Sequence, residues 1–327
     1  METRFNIIRL LADGQFHSGE ELAEAVGISR AGIWKHLKHI RDRMDISLFA
    51  VKGRGYKLAE PIEFLDQDSI CTGLNPDTRT LLARVEIHDQ IDSTNSYLMQ
   101  IPAQESTSGH VCIAEQQTSG RGRRGRDWVS PFGSNIYLSI NWRYGLGLAD
   151  LSGLSLAAGI AVARSLESLG IEEVGLKWPN DLLWRGRKLA GLLLEVSGEH
   201  SGPSRVVIGL GMNTRLSDLQ GADIDQPWVD LSSLPGGEDI SRNQLVSVLL
   251  DTLFHTLSRF ESQGLACEID EWSRFDLYHG KEVALQMGDN RIDGIHRGID
   301  ASGALLLEHQ GVTRPYHGGE VSLRPVV

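Results

Sequence analysis

A short loop with three glycines and four arginines, GRGRRGRDW at residues 120–128, restricts the fold of this chain more than any other segment. It satisfies the pattern G-x-G-x-x-G, and the apolar run at 111–114 before it predicts a strand. A dinucleotide-binding fold, as in a nicotinamide oxidoreductase, requires a helix directly after these glycines. Here the chain continues WVSPFG, which disfavours a helix. We therefore interpret the arginine loop as a flexible nest of backbone N–H and guanidinium groups that binds an anion. A solvated basic loop is the alternative.

Charge is divided unevenly along the sequence. The 327 residues carry a net charge of −11, yet residues 1–60 hold ten Lys and Arg against eight Asp and Glu. A mildly basic N-terminal part, here called the head, thus precedes an acidic remainder, here called the body. This division excludes a generally basic nucleic-acid binder and indicates different partners for the two parts.

Helix and turn signals in the head predict a winged helix-turn-helix. Apolar positions three apart, N-cap serines and glycine stops outline three helices, and two strand-like pieces flank Gly53 and Gly55. The basic third helix can enter the major groove while the hairpin, or wing, contacts phosphates. A protein-interaction module is the alternative, and Trp34 could contact DNA or pack against the wing. The residues expected to bind DNA are Ser29, Arg30, Trp34, Lys35, Lys38, Lys52 and Arg54.

The body has mixed helix and strand patterns. Helices are predicted over 150–169 and 242–262, and the alternation in 135–142 predicts a strand that could offer an exposed sheet edge for a dimer. Residues 214–236 are polar and too long for an ordinary connection, so we expect them to be functional or mobile. Short apolar runs from about residue 280 predict a small β-barrel. The predicted divisions are a head at 1–62, a linker with one helical turn at 63–80, a central domain at 81–272 and a C-terminal barrel at 273–327.

Other classes of protein are excluded by composition. Three isolated cysteines, Cys71, Cys112 and Cys267, allow neither a disulfide framework nor a CxxC site, and they fit a reducing cytoplasm. No run approaches the roughly 18 apolar residues of a membrane span, and the N-terminus resembles the start of a helix rather than a signal peptide. We expect no membrane association and no metal site made of side chains.

Four polar motifs in the body add candidate binding residues. KWPNDL at 177–182 ends a predicted strand in a turn, and RKLAGLLLE at 187–195 begins the next strand. DSTN at 92–95 lies where a helix would start, and GLGMN at 209–213 ends a strand beside the long polar loop. Each motif also has a purely structural interpretation. Asn180 and Asp181 could merely cap the turn, and DSTN could be only an N-cap. The glycines of GLGMN could form a bulge instead of admitting a flat ligand close to the backbone.

Taken together, these motifs resemble those of the bifunctional biotin–protein ligases that double as biotin operon repressors. The motifs match that family's pattern in order and at comparable spacing, and the head and C-terminal part are similar too, so the resemblance covers essentially the whole chain. The arginine loop together with KWPND is highly specific. The implied fold is α+β, with a winged helix-turn-helix, a mixed α/β catalytic domain of the class II synthetase and biotin–lipoate ligase type, and an SH3-like barrel.

The resemblance implies an enzyme and a regulator in one chain. Biotin, ATP and Mg²⁺ would give biotinoyl-5′-adenylate, and a lysine of a biotin carboxyl carrier protein would then take the biotinoyl group. The adenylate would also be the corepressor that favours a homodimer, which binds operator DNA through residues 1–60. A ligand sensor without ligase activity and an octanoyl or lipoyl transferase are the alternatives. The intact lysine and arginines disfavour the first, and the neutral polar cluster disfavours the second.

The resemblance also implies a role for each motif residue. Both reaction steps bring negative groups together or develop negative charge, so fixed cations should be the main catalysts. The expected catalytic residues are Lys188, Arg121 and Arg123. The residues expected at biotin are Ser93, Thr94, Asn95, Gln117, Arg121, Gly122, Arg123 and Lys188. Those expected at the nucleotide are Trp128, Lys177, Asn180, Asp181, Asn213, Trp228 and Arg324.

Overall fold

The computed structural model describes residues 2–44, 46–198, 202–288, 290–318 and 321–325. The helices are α1 Glu2–Leu11, α2 Gly19–Val26, α3 Arg30–Arg43, α4 Gln67–Gly73, α5 Pro76–Leu81, α6 Thr94–Gln100, α7 Leu154–Ser168, α8 Arg242–Gln263 and α9 Ile269–Phe275. The strands are β1 Leu48–Val51, β2 Gly55–Leu58, β3 Arg84–His88, β4 His110–Ala114, β5 Asn135–Tyr144, β6 Val174–Lys177, β7 Asp181–Trp184, β8 Arg187–Gly198, β9 Ser204–Asn213, β10 Glu282–Met287, β11 Asn290–Ile299, β12 Leu305–His309, β13 Val312–Tyr316 and β14 Val321–Pro325. Strand pairing among the described residues gives a two-stranded, a seven-stranded and a five-stranded sheet.

The head folds as the predicted winged helix-turn-helix. Ser18 begins α2 with a capping box, and Ser29 caps α3 by accepting a hydrogen bond from the amide of Gly32. The apolar faces of α1, α2 and α3 close a small core with the wing strand β2. Gly55 has a φ of +100°, and a Cβ there would lie 2.0 Å from the carbonyl oxygen of His17, so the wing requires glycine at this turn.

Residues 63–80 are more ordered than the expected linker. Instead of one helical turn they contain α4 and most of α5, which pack against α8. Ile70 and Leu74 are buried in the main core, and the hydroxyl of Ser247 on α8 donates to the carbonyl of Ile70. These helices are too short for a helical period to be visible in the sequence. The domain divisions themselves remain predictions.

The seven-stranded sheet of the body has the order β3-β4-β5-β9-β8-β7-β6. β3 and β4 are parallel, and the other neighbours are antiparallel. On one face, Ile113 and Ile136 join α7 and α8 in the main core. On the other face, Cys112 and Val207 pack against Leu98 of α6. α6 and the DSTN motif at its start therefore lie on the second face.

β5 is a central strand. The expectation that residues 135–142 offer an exposed sheet edge is wrong, because β5 pairs with β4 on one side and with β9 on the other and is almost entirely buried. Its alternation arises because polar side chains such as Ser139 and Asn141 form hydrogen bonds on the α6 side of the sheet. An uncovered edge lies instead in β8, because β7 pairs with β8 only as far as Gly191. Among the described residues, no strand covers the outer side of 193–198.

The strands expected after residue 280 are present. They form an antiparallel sheet with the order β13-β12-β11-β10-β14, whose apolar side chains join the main core. Ala284 of β10 pairs with Arg324 of β14. The guanidinium of Arg324 is therefore close enough to Lys177 for its positive charge to help lower the pKa of that lysine, which burial lowers most.

Among the residues that the structure describes, one helical stretch, Leu148–Ser168, is long and apolar enough to cross a membrane by length and composition alone. Most of its apolar part is buried inside the structure. The stretch includes α7, which packs against α8 and the sheet. α7 is therefore a core helix of the body.

The head packs directly on the body. The ring of Phe132, which follows the arginine loop, stacks on Phe5 of α1 at a centroid distance of 5.4 Å and meets Phe64 edge-on at 5.8 Å. Phe132 is 1% exposed and belongs to the core of the head. Arg9 of α1 also forms a two-point ion pair with Asp89. The head thus contacts Phe132, a few residues after the arginine loop, and Asp89, a few residues before the DSTN motif.

Candidate active site

The body contains a cavity of about 600 Å³. Its walls come from α6, the arginine loop, strands β6 to β9, the long polar loop and β14, so segments far apart in the sequence meet there. All the residues expected at biotin or at the nucleotide line this one cavity: Ser93, Thr94, Asn95, Gln117, Arg121, Gly122, Arg123, Trp128, Lys177, Asn180, Asp181, Lys188, Asn213, Trp228 and Arg324.

Part of the cavity wall is neutral and polar. Ser93 is the N-cap of α6 and accepts a hydrogen bond from the amide of Ser96, so the DSTN motif both starts the helix and faces the cavity. The side-chain oxygen of Gln117 accepts from the amide of Thr94 at 2.9 Å, and its nitrogen donates to the hydroxyl of Ser130 at 3.2 Å. This network fixes which donors and acceptors a ligand meets.

Asn95 continues the neutral wall, and its buried amide has a defined orientation. Its oxygen lies 2.6 Å from the hydroxyl of Ser139. Its nitrogen donates to the carbonyl of Leu193 at 3.2 Å and to the carboxylate of Glu195 at 2.8 Å. A Cβ at Gly209 would lie 2.1 Å from the amide oxygen, so the first glycine of GLGMN makes room for Asn95.

Another part of the wall is cationic. Nζ of Lys188 lies 2.7 Å from Oδ1 of Asp181, and Nζ of Lys177 lies 3.5 Å from Oδ2 of the same carboxylate. Burial alone would raise the pKa of Asp181, but the two ammonium groups hold that pKa below its ordinary value. Burial lowers the pKa of Lys177, against the opposing attraction of Asp181. One ionised carboxylate thus holds two lysines where they can neutralise carboxylate and phosphate oxygens.

The arginine loop folds back on itself without forming an α-helix. The amide of Gly122 donates to the carbonyl of Arg126 at 2.7 Å, and the amide of Trp128 donates to the carbonyl of Gly120 at 2.9 Å. A single 3₁₀ turn, Arg123–Gly125, stands where a dinucleotide-binding fold would begin a helix. In the described residues the next α-helix is α7, which begins only after β5. The helix that a dinucleotide-binding fold requires directly after the glycines is therefore not formed, and the rejection of that fold is confirmed.

Two arginine side chains attach the loop to its surroundings. Arg123 donates to the carbonyl of Gly318, and so links the loop to the C-terminal part of the chain. Arg121 donates to the hydroxyl of Ser96 at 2.7 Å and lies 3.5 Å from the carboxylate of Glu195. Both arginines therefore hold the loop in place, and their catalytic roles remain predictions.

Two asparagines connect the backbone walls of the cavity. Asn180 accepts a hydrogen bond from Arg123 at 3.3 Å. The side-chain nitrogen of Asn213 donates to the backbone carbonyls of Lys188 at 3.4 Å and Val229 at 3.2 Å. These hydrogen bonds give both asparagines a structural role. Their contact with a nucleotide remains a prediction.

Trp128 packs on the backbone of the GLGMN strand. A Cβ at Gly211 would lie 2.4 Å from the indole, and a Cβ at its register partner Gly191 would lie 3.3 Å from it. The strands keep a regular register here, so the bulge interpretation is wrong and the glycines admit a flat ring. Nζ of Lys188 lies 5.3 Å from the centroid of that ring, within reach of a cation–π interaction.

The long polar loop at 214–236 is attached to β8. Trp228 forms an isolated β-bridge with Lys188, held by two backbone hydrogen bonds of 2.9 and 3.0 Å. Gly221 makes room for the indole of Trp228, because a Cβ there would lie 2.3 Å from the ring. Residues 223–226 also line the cavity. The loop therefore contributes to the site, as its length suggested.

Sequence reasoning missed three members of this network. Ser130 and Ser139 support Gln117 and Asn95 from outside the recognised motifs, and Glu195 ends a motif without a predicted role. Ser139 carries a usable signal, since a polar residue in a strand flanked by large apolar residues is buried and must find a partner. Neither Ser130 nor Glu195 has such a signal, because their contacts with Gln117 and Asn95 depend on how separate segments fold together.

The residues expected at DNA are exposed on α3 and the wing: Ser29, Arg30, Trp34, Lys35, Lys38, Lys52 and Arg54. Trp34 is 57% exposed, and Nζ of Lys38 lies 5.6 Å from its ring. More than half of the Trp34 surface is therefore accessible to a partner. The guanidinium of Arg54, in the turn of the wing, lies 4.2 Å from the ring of Phe16 in the segment between α1 and α2. Their contacts with DNA remain predictions.

Comparison with known proteins follows the same division of the chain. Residues 3–57 match an HTH domain, residues 87–213 match the biotin/lipoate A/B protein ligase family, and residues 278–324 match the biotin protein ligase C-terminal domain. The chain is 45% identical over 318 residues to bifunctional ligase/repressor BirA of Salmonella typhimurium. The aligned region covers 97% of this chain and 96% of that protein. This chain belongs to the biotin protein ligase family.

Other biotin protein ligases extend the comparison. Bifunctional ligase/repressor BirA of Escherichia coli is 44% identical over 97% of this chain and 96% of its own length. The solved structure of the biotin protein ligase from Aquifex aeolicus in complex with biotin and ATP has a TM-score of 0.65 at 26% identity, covering 75% of this chain and 100% of that one. Apart from Trp228 and Arg324, every expected ligand residue lies within the ligase match at 87–213.

Proposed function

We propose that this biotin protein ligase joins biotin to a lysine of a carrier protein with ATP, and that it represses biotin synthesis genes through its head. The observation that carries the proposal is the single cavity in which the neutral polar wall and the cationic wall meet. The neutral ring of biotin suits the neutral wall. The carboxylate of biotin and the phosphates of ATP suit the cationic wall.

The neutral wall favours biotin over other acyl substrates of the same fold. The ureido ring of biotin offers two N–H donors and one carbonyl acceptor, which DSTN and Gln117 can pair in a desolvated place. An octanoyl or lipoyl chain would leave these buried polar groups without partners, which is costly.

In the first reaction a carboxylate oxygen of biotin attacks the α-phosphorus of ATP, and pyrophosphate leaves with the electrons of the broken P–O bond. Two anions must approach each other, so positive groups held in place beforehand stabilise the transition state. Lys188 has this property, because Asp181, the ring of Trp128 and the bridge to Trp228 fix it. Mg²⁺ enters as part of MgATP. Within the described ranges no group of three His, Cys, Asp or Glu side chains is placed to hold a metal, so the phosphates should supply most of its ligands.

In the second reaction the amine of a lysine on a biotin carboxyl carrier protein attacks the carbonyl carbon of the mixed anhydride. The bond from that carbon to the phosphate oxygen breaks, AMP leaves, and the amine loses a proton. The reactive anhydride must be kept from water until the carrier arrives. The link from Arg123 to Gly318 supports a role of the arginine loop as its cover.

Regulation requires the head and a second copy of the chain. The adenylate-bound protein forms a homodimer that places two heads on a palindromic operator. The uncovered edge of β8 at 193–198 is the surface we assign to this contact, because unpaired strand edges readily add another strand. Val196 on this edge is 48% exposed, and the carbonyl of Leu193 is bonded to Asn95 in the neutral wall. We place the protein in the cytoplasm, where its three free cysteines would stay reduced.

The ligase proposal is tested with labelled biotin, MgATP and a biotin carrier domain. We expect covalent label on the carrier and biotin-dependent exchange of pyrophosphate into ATP. Lys188→Ala should lose most of both, whereas Arg187→Ala, an exposed cation next to it on β8, should retain them. A ligand sensor without ligase activity would bind biotin and give neither signal.

The assignment of the head is tested by deleting residues 1–62. Operator binding should be abolished, while some adenylation survives because every residue expected at a ligand lies beyond residue 90. If the truncated chain still shifted operator DNA, the head would not be the DNA-binding part.

A further inference from the structure

Glu195 lies on β8 just outside the cavity and touches two of its walls at once. Oε2 accepts a hydrogen bond from Nδ2 of Asn95 at 2.8 Å, and Oε1 lies 3.5 Å from Nη2 of Arg121. Asn95 belongs to the neutral wall and Arg121 to the arginine loop. The side chain of Glu195 is 29% exposed, so its carboxylate is only partly screened by water.

The first contact decides which way the Asn95 amide faces. An ionised carboxylate can only accept hydrogen bonds, so it must face the nitrogen of the amide and not the oxygen. The two N–H groups of that nitrogen are then used by Glu195 and by the carbonyl of Leu193. The amide oxygen accepts from Ser139 at 2.6 Å, and a carbonyl oxygen has a second lone pair with which it can accept from a ligand in the cavity that Asn95 lines. Asn95 is thereby fixed as an acceptor, which suits a ligand N–H group.

The second contact helps to hold the arginine loop. Arg121, the second residue of the loop, donates to the hydroxyl of Ser96 on α6 and pairs with Glu195 on β8. The guanidinium is thus held between two elements that also carry the neutral wall. A carboxylate at 195 therefore couples the orientation of Asn95 to the position of the loop that covers the ligand.

We propose that Glu195 is a positioning residue that sets Asn95 as the acceptor for a ureido N–H and holds Arg121 so that the loop retains the adenylate. The proposal rests on the proposed ligase function. Glu195 touches neither substrate: it acts through the two residues that do, and its removal should affect biotin and the adenylate more than ATP.

The test compares Glu195→Ala and Glu195→Gln with wild type by biotin-dependent pyrophosphate exchange and by release of labelled adenylate after a chase. Glu195→Ala frees both contacts, so the KM for biotin should rise about tenfold or more, as for loss of a hydrogen bond to a charged group. The KM for ATP should stay within about twofold, and adenylate release should be faster. Glu195→Gln keeps an oxygen for Asn95 but loses the ion pair. It should keep the KM for biotin near wild type while still releasing adenylate faster.

Arg187→Ala, an exposed residue at the other end of the same strand and outside the 193–198 edge, is the matched control and should behave as wild type in both assays. Equal KM values for biotin and equal adenylate release in Glu195→Ala and wild type would overturn the proposal. So would a parallel rise in the KM for both substrates, since that marks a purely structural residue. If Glu195→Ala fails to fold, Glu195→Gln decides the question, because the proposal expects it to combine an unchanged KM for biotin with faster release of adenylate. Absence of biotin-dependent exchange in the wild type would instead reject the ligase function, and this inference with it.

Discussion

Replacing Gly211 with alanine tests whether the GLGMN strand serves to seat the indole of Trp128. Gly211 lies within β9, paired with Tyr137 of β5 on one side and Gly191 of β8 on the other, so the backbone cannot retreat. The added Cβ would lie 2.4 Å from the indole, where ordinary contact begins at 3.4 Å. The ring must therefore shift by about 1 Å, since the strands are held on both sides and Trp128 is only partly buried.

The expected cost follows from this overlap. Forcing an extra methyl group into a filled space typically costs about 1–3 kcal/mol, which corresponds to roughly 5- to 150-fold in a rate or binding constant. The indole also lies 5.3 Å from Nζ of Lys188, so its displacement disturbs the cationic wall. We expect kcat/KM for ATP to fall at least tenfold, with little change in the KM for biotin and a melting temperature lowered by a few degrees.

The assay is biotin-dependent pyrophosphate exchange at varied ATP, with Gly191→Ala as the matched control. A Cβ at Gly191 would lie 3.2 Å from Cε of Lys188 and 3.3 Å from the Trp128 ring, so its neighbours need to yield by only a few tenths of an ångström. The control should therefore lose much less activity. Equal losses in the two variants, or an unchanged kcat/KM for ATP in Gly211→Ala, would refute the reasoning.

Three further predictions concern charged residues of the cavity. Lys188→Ala should slow adenylation by about 10²–10³-fold, as for loss of one fixed charge-stabilising contact. Rapid-quench rates check this against Arg187→Ala, and an unchanged rate would make Lys188 a structural residue. The pKa of Asp181 is held below its ordinary 3.8, so the stability its charge supplies is present above that pH and is lost only as the pH falls through the lower folded-state value. Adenylation should thus show no acid limb from Asp181 between about pH 5 and 7, and an acid limb that disappears in Asp181→Asn would contradict this. Arg123→Gly removes the link to the C-terminal part and adds backbone freedom, so biotinoyl-adenylate should escape and label bystander proteins such as serum albumin. Retention and selectivity equal to wild type would show that Arg123 does not help to cover the ligand.

The sequence was informative where a structure is decided locally. The head could be predicted because capping serines, a glycine at the wing turn and basic side chains act within a few residues of each other. The cavity residues could be predicted because their motifs combine chemically specific side chains in a fixed order. The structure places all of these residues in one cavity, while their individual contacts with ligands remain predictions.

The sequence was uninformative where long-range pairing decides. The alternation of β5 fits an edge strand and a central strand equally well, and only its two neighbours distinguish them. The helices of the expected linker are defined by packing on α8 rather than by their own pattern. Glu195 is a polar residue at the end of an apolar run, and its meaning depends on Asn95, which lies a hundred residues earlier in the chain.

The central claim is that one cavity serves both the ligase and the repressor, and operator binding by Lys188→Ala tests it most directly. DNA from upstream of the organism's biotin synthesis genes is titrated with wild-type protein and with the variant, each without ligand, with biotin and MgATP, and with preformed biotinoyl-adenylate. Wild type should bind the DNA tightly in both liganded conditions. Within a brief incubation Lys188→Ala should bind it only when the adenylate is supplied, because the variant makes its own corepressor about 10²–10³-fold more slowly. Equal DNA binding by both proteins without any ligand, or no response to the adenylate in either, would contradict the account.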